Sequence, residues 1–233
     1  KTKSAHHHST GNILVAAGGE SAATPIWLGT EAAKWAGPSP SPLHLAWLKS
    51  QNFKANGRKL ALLPGADGTL AGVAFGAGEA NAADPMSKPE VQLGLLPQQL
   101  PPGTYTLAGT VADPELASVA WGLGAYRFRR YKSGEADAIP RLELPASVDP
   151  AITAGIIDGV WLGRDLINTP ASDMGPDELE TAARTLAKRH GAKVTSIVGD
   201  DLLAKNFPMI HAVGRASPRA PRIIDLTWGP ESA

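Results

Sequence analysis

The chain has 233 residues, of which 22 are basic, 22 are acidic, 43% are hydrophobic and none is cysteine. A chain of this length buries about 70% of its unfolded surface, enough for one large domain or two small ones. Its balanced charge argues against nucleic acid or an anionic membrane as the main partner, because phosphate binding requires a basic surplus. The lack of cysteine excludes disulfides, zinc–thiolate sites and cysteine nucleophiles. No apolar run of about 18 residues predicts a membrane span, and a cytoplasmic location is expected.

Residues 1–12 are predicted to form a flexible tail. His6, His7 and His8 could bind a metal ion as adjacent imidazoles or could belong to a tail or purification tag, and we favour the tail. The apolar stretch ILVAA that follows is too short for the core of a signal peptide.

Residues 13–147 are predicted to form an N-terminal α/β domain. Apolar and β-branched residues predict strands at 24–30, 58–65, 68–78 and 103–109, and Ser41 and Pro42 predict the start of a helix over 41–53.

A second helix is predicted over 113–132, where Asp113 caps and Pro114 occupies the first helical position. Its expected apolar stripe is Leu116, Val119, Ala120, Leu123 and Tyr126. A basic cluster follows at Arg127, Arg129, Arg130 and Lys132. Cations are favoured at a helix C-terminus, so we prefer a role in the helix dipole and in solubility for this cluster over a phosphate site.

Residues 148–170 are predicted to form a linker helix and a hinge. Asp149 and Pro150 repeat the cap-and-proline signal, and the helix is expected to end at Ile167, before Pro170. Its expected apolar side is Ile152, Ile156, Val160 and Ile167, widened by Ile157, Trp161 and Leu166.

Residues 171–233 are predicted to begin a second α/β domain. Pro176 starts a helix that Gly191 ends, and apolar strands at 192–198 and 220–229 flank a short helix at 199–207. We expect these two strands to be parallel, because a helical crossover separates them.

Motifs for catalysis are mostly absent from the sequence. It contains neither G-x-S-x-G nor H-E-x-x-H, and His44, His190 and His211 do not have the spacing of metal ligands. His190 is expected to stabilise the end of its helix. The glycine-rich stretch at 72–81 resembles a dinucleotide loop but has Asn81 at the third glycine position, so a strand exit is the simpler interpretation.

Two acidic groups remain as candidates. Asp200 and Asp201 could bind a divalent cation, but helix capping predicts the same residues and is favoured. Asp165 and Asp173 flank the hinge beside Arg164, and a structural ion-pair cluster is preferred to an acid/base pair.

Four longer stretches resemble the leucyl aminopeptidase family of dinuclear-metal exopeptidases. They are WLGRDLINTPASDMGPDELE at 161–180, residues 192–217, PRIIDLTWG at 221–229 and LGAYRFRRYK at 123–132. The resemblance implies a macro-domain-like N-terminal α/β domain, a long linker helix and the first α/β units of an incomplete catalytic domain. It also implies a homo-hexamer that hydrolyses peptides with two divalent metal ions, zinc or manganese.

The chain departs from that family in its metal-site motifs. The family's ligands, a Lys, three Asp and a Glu, lie in G-K-G, F-D-T-G-G and N-T-D-A-E-G-R stretches that this sequence lacks. No catalytic, cofactor-binding or metal-ligating residue is therefore assigned. Ser172, where many relatives have Asn, is taken as a local turn substitution.

We expect this segment to be a scaffold whose partner is the remainder of the catalytic domain, in the same or a separate chain. The isolated segment is expected to be inactive. The alternative is a non-catalytic, macro-like module that binds ADP-ribose through residues 72–81, which we rank lower because domain similarity does not carry function.

Overall fold

The computed structural model describes residue 11 and residues 13–18, 23–31, 34–134 and 138–230. His6, His7 and His8 lie outside these ranges. The chain divides into two compact units, Lys1–Leu162 and Gly163–Ala233.

A mixed sheet forms the first unit. Its strands are β1 (Leu14–Val15), β2 (Thr24–Glu31), β3 (Lys34–Trp35), β4 (Lys59–Pro64), β5 (Leu70–Gly76), β6 (Thr104–Leu107) and β7 (Arg141–Glu143). The order is β1-β7-β6-β2-β5-β4, with β3 paired antiparallel to β2. The pairs from β1 to β5 along this order are parallel, whereas β4 and β5 form an antiparallel hairpin. The expected α/β class is confirmed.

Seven α-helices lie within the described residues. They are α1 (Pro42–Ser50), α2 (Pro89–Gln92), α3 (Pro114–Gly124), α4 (Pro150–Asn168), α5 (Pro176–His190), α6 (Asp201–Ala204) and α7 (Pro208–Gly214), with 3₁₀ turns at Pro85–Ser87 and Leu93–Gln98. The predicted caps at Ser41, Asp113 and Asp149 are confirmed, because each side-chain oxygen accepts a hydrogen bond from a first-turn amide. No helix in the described ranges combines the length and hydropathy needed to cross a bilayer.

The core of the first unit lies between the central strands and α3. The side chains here are almost completely buried: Ile26 of β2, Phe75 of β5 and Trp121 of α3 are each at most 1% exposed. Such burial of β5 follows from its continuous apolar sequence, which is typical of a strand covered on both faces.

Helix α3 is shorter than predicted, and the face that it buries coincides only partly with the predicted apolar stripe. It ends at Gly124, whose carbonyl accepts a hydrogen bond from Gln98 Nε2 at 2.7 Å. Gly122 and Gly124 weaken helical propensity at this point, which favours an end there. The buried residues are Ala117, Ser118, Ala120, Trp121 and Gly122. Of the predicted stripe, Ala120 is buried, and Leu123 and Tyr126, the latter beyond the helix end, pack half-buried against a second core cluster. The prediction missed Trp121, which is completely buried.

Because α3 ends at Gly124, the basic cluster at 127–132 lies beyond the helix. The dipole part of the role predicted for this cluster is therefore wrong, since the dipole acts within the last turn, whereas the solubility part stays a prediction. The guanidinium of Arg130 instead lies 5.9 Å from the ring centroid of Tyr131.

Helix α4 buries Ile157 and Trp161, two of the residues predicted to widen its apolar side, but not the main row of that side. Thr153, Ile157 and Trp161 are buried. By contrast, the residues predicted to form its apolar side, Ile152, Ile156, Val160 and Ile167, are all more than a third exposed. Trp161 belongs to a small core cluster with Ile13, Ala125 and Ile157, and its indole Nε1 donates to the carbonyl of Gly122 at 3.1 Å.

The second unit contains α5 and a two-stranded sheet of β8 (Lys193–Val198) and β9 (Arg222–Thr227). The strands are antiparallel, so the predicted parallel pairing was wrong. The amide of Gly199 donates to the carbonyl of Pro221 at 2.8 Å, so the connection through α6 and α7 starts and finishes at the same end of the sheet. A parallel crossover would have to traverse the sheet's length.

Candidate functional site

The turn between α4 and α5, residues 169–175, is the strongest candidate region of the second unit. The amide of Asp173 donates to the carbonyl of Pro170 at 2.8 Å and closes a tight turn. Glu178 Oε2 then accepts from the amide of Gly175 at 2.8 Å, which caps α5 ahead of Pro176. Local sequence explains this part, because an acidic side chain three residues after a cap satisfies a free amide.

Arg219, in the loop before β9, ties this turn to the rest of the unit. Its Nη1 pairs with Glu178 Oε2, and its Nη2 donates to the carbonyl of Ser172 at 2.6 Å. Asp177 Oδ1 lies 3.6 Å from the same Nη1. Nothing in the local sequence singles out Arg219, because Glu178 and Ser172 lie 41 and 47 positions away.

Gly175 leaves the space that the side chain of this arginine occupies. A Cβ at position 175 would lie 2.0 Å from Arg219 Nη1 and 2.6 Å from its Cδ. The glycine in the G-P-D-E sequence is therefore explained by a close approach. Ser172 contributes its backbone carbonyl, so the Asn-to-Ser departure leaves this contact intact.

Glu180, two residues after Glu178 on α5, lies at the centre of a second polar network. Its carboxylate accepts from Ser196 Oγ at 2.8 Å, from Arg222 Nη1 at 2.7 Å and from Arg184 Nε at 2.8 Å. These hydrogen bonds, with that of Ser196 the largest effect, lower the pKa of Glu180 to about 2. The side chains of Glu180 and Arg222 are 11% and 14% exposed, so this network joins α5 to both strands largely out of water.

A cleft of about 470 Å³ lies beside these two networks. It is lined by Pro176, Met209, Ile210, Val213, Gly214, Ser217, Arg219, Pro221 and Arg222. The lining includes neither a carboxylate nor a histidine, and both arginines are already paired with glutamates. The cleft is therefore suited to apolar contact rather than to acid–base chemistry.

The candidate histidines lie in separate places. His44 is in the first turn of α1, where its ring packs edge-on against Trp27 at 5.8 Å. His190 is in the last turn of α5, as predicted, and its carbonyl accepts from the indole of Trp228 at 3.0 Å. His211 Nε2 lies 3.0 Å from Asp200 Oδ1.

The two acidic candidate groups contact other protein side chains or backbone groups. Asp200 occupies the capping position of α6, but its side chain makes no capping hydrogen bond and pairs with His211 instead. The predicted position is therefore confirmed, whereas the predicted capping bond is not formed. Arg164, Asp165 and Asp173 each have an interaction partner. No group of three or more His, Asp or Glu in the described residues could hold a metal ion.

The glycine-rich stretch at 72–81 is a strand exit. A Cβ at Gly76 would lie 2.5 Å from the backbone carbonyl carbon of Ala55, so this glycine allows two backbones to pack together. Asn81 closes a local turn, with its Oδ1 accepting from the amide of Ala83 at 3.0 Å. These contacts explain the residues without a phosphate.

Comparison with known families matches both units. Residues 26–145 match the M17 aminopeptidase N-terminal domain, and residues 161–233 match the catalytic domain of the cytosol aminopeptidase family. The chain therefore belongs to the M17 aminopeptidase family, as its sequence motifs indicated.

Individual relatives agree with this assignment. A probable cytosol aminopeptidase of Corynebacterium efficiens is 30% identical over 195 residues, which cover 79% of this chain and 38% of the relative. The crystal structure of the Coxiella burnetii cytosol aminopeptidase is 30% identical with a TM-score of 0.77, covering 94% of this chain and 47% of that one. The bottromycin maturation enzyme BotP, solved in complex with Mn, shares the fold at 23% identity and a TM-score of 0.69, covering 90% and 46%. The chain thus spans less than half the length of these relatives.

Proposed function

We propose that this chain is the N-terminal portion of a metal-dependent leucyl aminopeptidase, which releases N-terminal amino acids, leucine above all, from peptides. The observation that carries the proposal is the colinear match of both units to the two domains of one family. The relatives' names, and the fold shared with an Mn-bound enzyme, support metal-dependent peptide hydrolysis in a cytoplasmic protein.

The described residues do not fit a dinuclear metal centre. The described acidic and histidine side chains form no cluster of three, and the pair His211–Asp200 is too small a ligand set. We therefore assign no catalytic step to them and propose a scaffolding role. The zinc or manganese ligands would be supplied by catalytic-domain sequence beyond these 233 residues, in the same or a separate chain.

Assembly into a homo-hexamer is the second part of this proposal. The support is the family membership together with an exposed side of α4 that is free of charged residues, Ala151, Ile152, Gly155, Ile156, Gly159 and Val160. Native mass spectrometry of this chain joined to the metal-binding remainder of the catalytic domain should detect a species at six times the mass of one completed subunit. A strictly monomeric protein across the accessible concentration range would contradict it.

The macro-like binding module is not favoured. The two relatives at 30% identity are named cytosol aminopeptidases, and the packing of Gly76 explains the glycine-rich stretch. Calorimetry with ADP-ribose should show no binding heat.

The activity test compares two preparations. Purified 1–233 should not hydrolyse leucyl p-nitroanilide with added Mn²⁺ or Zn²⁺. The same chain joined to, or mixed with, the metal-binding remainder of the catalytic domain should hydrolyse it in a chelator-sensitive manner.

A full-length M17 relative assayed in parallel serves as the positive control. Metal-stimulated turnover that stays with the 1–233 chain through successive purification steps would overturn the scaffolding role. No turnover from the completed protein on any aminoacyl anilide would overturn the aminopeptidase proposal itself.

A further inference from the structure

The contacts of Arg219 bracket the start of α5. One arm of its guanidinium reaches the carbonyl of Ser172, before the helix begins, and the other reaches the carboxylate of Glu178 in the first turn. The arginine side chain is one-third exposed. It therefore forms a charge-assisted bridge between two points of the turn that have no direct bond to each other.

Two local hydrogen bonds of this turn each span only part of it. The bond from Asp173 to Pro170 closes its first half, and the bond from Gly175 to Glu178 caps the helix. Neither of these local bonds joins Ser172 to Glu178. Arg219 provides that connection from the loop before β9, across more than 40 residues of chain.

We infer that Arg219 is a positioning residue that clamps the α4–α5 turn, so that the start of α5 takes this geometry only when the loop before β9 is folded. The clamp requires an arginine, because a planar guanidinium can direct two donors at two acceptors, whereas an ammonium acts as a point charge. It also requires Gly175, since a Cβ there would overlap the guanidinium. This inference concerns the second unit itself and does not rest on the proposed activity.

Hydrogen exchange on the whole 1–233 chain tests the clamp. Arg219→Ala should speed exchange of the amides at 173–179 about fivefold, as expected for the loss of a partly exposed charge-assisted contact. Arg219→Lys should recover only part of the protection, because it can satisfy one acceptor but not both. The amides of β8 at 193–198 should change much less.

Arg215→Ala is the matched control. Arg215 is an exposed arginine four residues earlier, and its side chain makes no hydrogen bond or ion pair with any residue that the structure describes. Exchange at 173–179 in this variant should stay near that of the original chain. An equal effect of Arg215→Ala and Arg219→Ala would show that net charge, and not the clamp, is responsible.

A double-substitution cycle gives the decisive result. In a Glu178→Gln background, Arg219→Ala should accelerate exchange at 173–179 less than it does in the original chain, because one of its contacts is already weakened. Full additivity would overturn the inference. So would a parallel increase at 173–179 and at 193–198, which would mean that the substitution only destabilises the unit as a whole.

Discussion

Among the described residues, Glu180 has a carboxyl group whose pKa lies far below its ordinary value. Its partners, Ser196, Arg222 and Arg184, all donate to the ionised carboxylate and lower its pKa to about 2, from an ordinary value of 4.5. A carboxylate held in this way favours the folded state at neutral pH, because the unfolded chain binds its proton more readily. The network therefore links the stability of the second unit to pH.

The first prediction follows from the direction of this shift. Because the folded pKa is lowered, the contribution of Glu180 is fully present above pH 4.5 and is lost as the pH falls from 4.5 towards 2. Glu180→Gln should lower the free energy of unfolding at pH 7 by about 1 kcal/mol and flatten its decline below pH 4.5. Urea titrations at several pH values measure both effects.

Asp225→Asn is the control, since Asp225 is an exposed carboxylate on the neighbouring strand β9. It should lower the free energy of unfolding at pH 7 less than Glu180→Gln does, because its side chain is exposed. An unaltered pH dependence in Glu180→Gln would show that other groups govern acid unfolding of this unit.

At the scale of elements, the contact between α3 and α4 explains which faces are buried. Gly122 of α3 lets Ile157 approach closely, since an added Cβ would lie 2.2 Å from Ile157 Cδ1. Trp161 donates to the Gly122 carbonyl, and Thr153 donates to Glu115 Oε1 at 2.6 Å. The polar Thr153 can therefore be buried without the free-energy cost of an unpaired hydroxyl, because that hydroxyl has a hydrogen-bond partner.

The second prediction concerns this contact. Gly122→Ala should destabilise the chain by about 1–3 kcal/mol, because overpacking outweighs the gain in helical propensity. Adding Ile157→Val, which removes the overlapping Cδ1, should recover part of the loss. Thermal unfolding of the single and double variants measures the difference.

Gly159→Ala offers a control of opposite sign. A Cβ at Gly159 would meet no atom within 4 Å, so this change should stabilise α4 by up to about 1 kcal/mol through propensity alone. Equal destabilisation by both substitutions would contradict the close α3–α4 contact.

For the molecule as a whole, the second unit leaves much apolar surface in contact with water. Met209, Val213 and Trp228 are each at least 75% exposed, whereas Leu202 is fully buried. Apolar surface of this kind is typical of an interface and is an aggregation hazard when uncovered. It is a surface that the proposed remainder of the catalytic domain would cover.

The third prediction uses this contrast. Val213→Gln should reduce self-association of the 1–233 chain and leave its unfolding temperature nearly unchanged, because the side chain is 83% exposed. Leu202→Ala, by comparison, should cost about 2–5 kcal/mol. Light scattering and thermal unfolding separate the two effects, and unchanged scattering in Val213→Gln would contradict a role for this surface.

Short-range signals made part of the structure predictable. Ser41, Asp113 and Asp149 cap their helices because a side-chain oxygen only two or three bonds from Cα reaches a nearby amide. Gly191 ends α5 with φ of 67°, a conformation that glycine adopts without strain. The family motifs were also legible, since they are long and colinear.

The sequence by itself determined the helix starts, the α/β class and membership of the M17 family, because caps, glycines and motifs act over a few residues. Only the tertiary structure decided the antiparallel pairing of β8 with β9, the buried faces of α3 and α4, and the role of Arg219. These features depend on contacts between positions far apart in the chain. Periodicity shows that a helix has an apolar side, but the surface with which that side packs is set by elements elsewhere in the sequence.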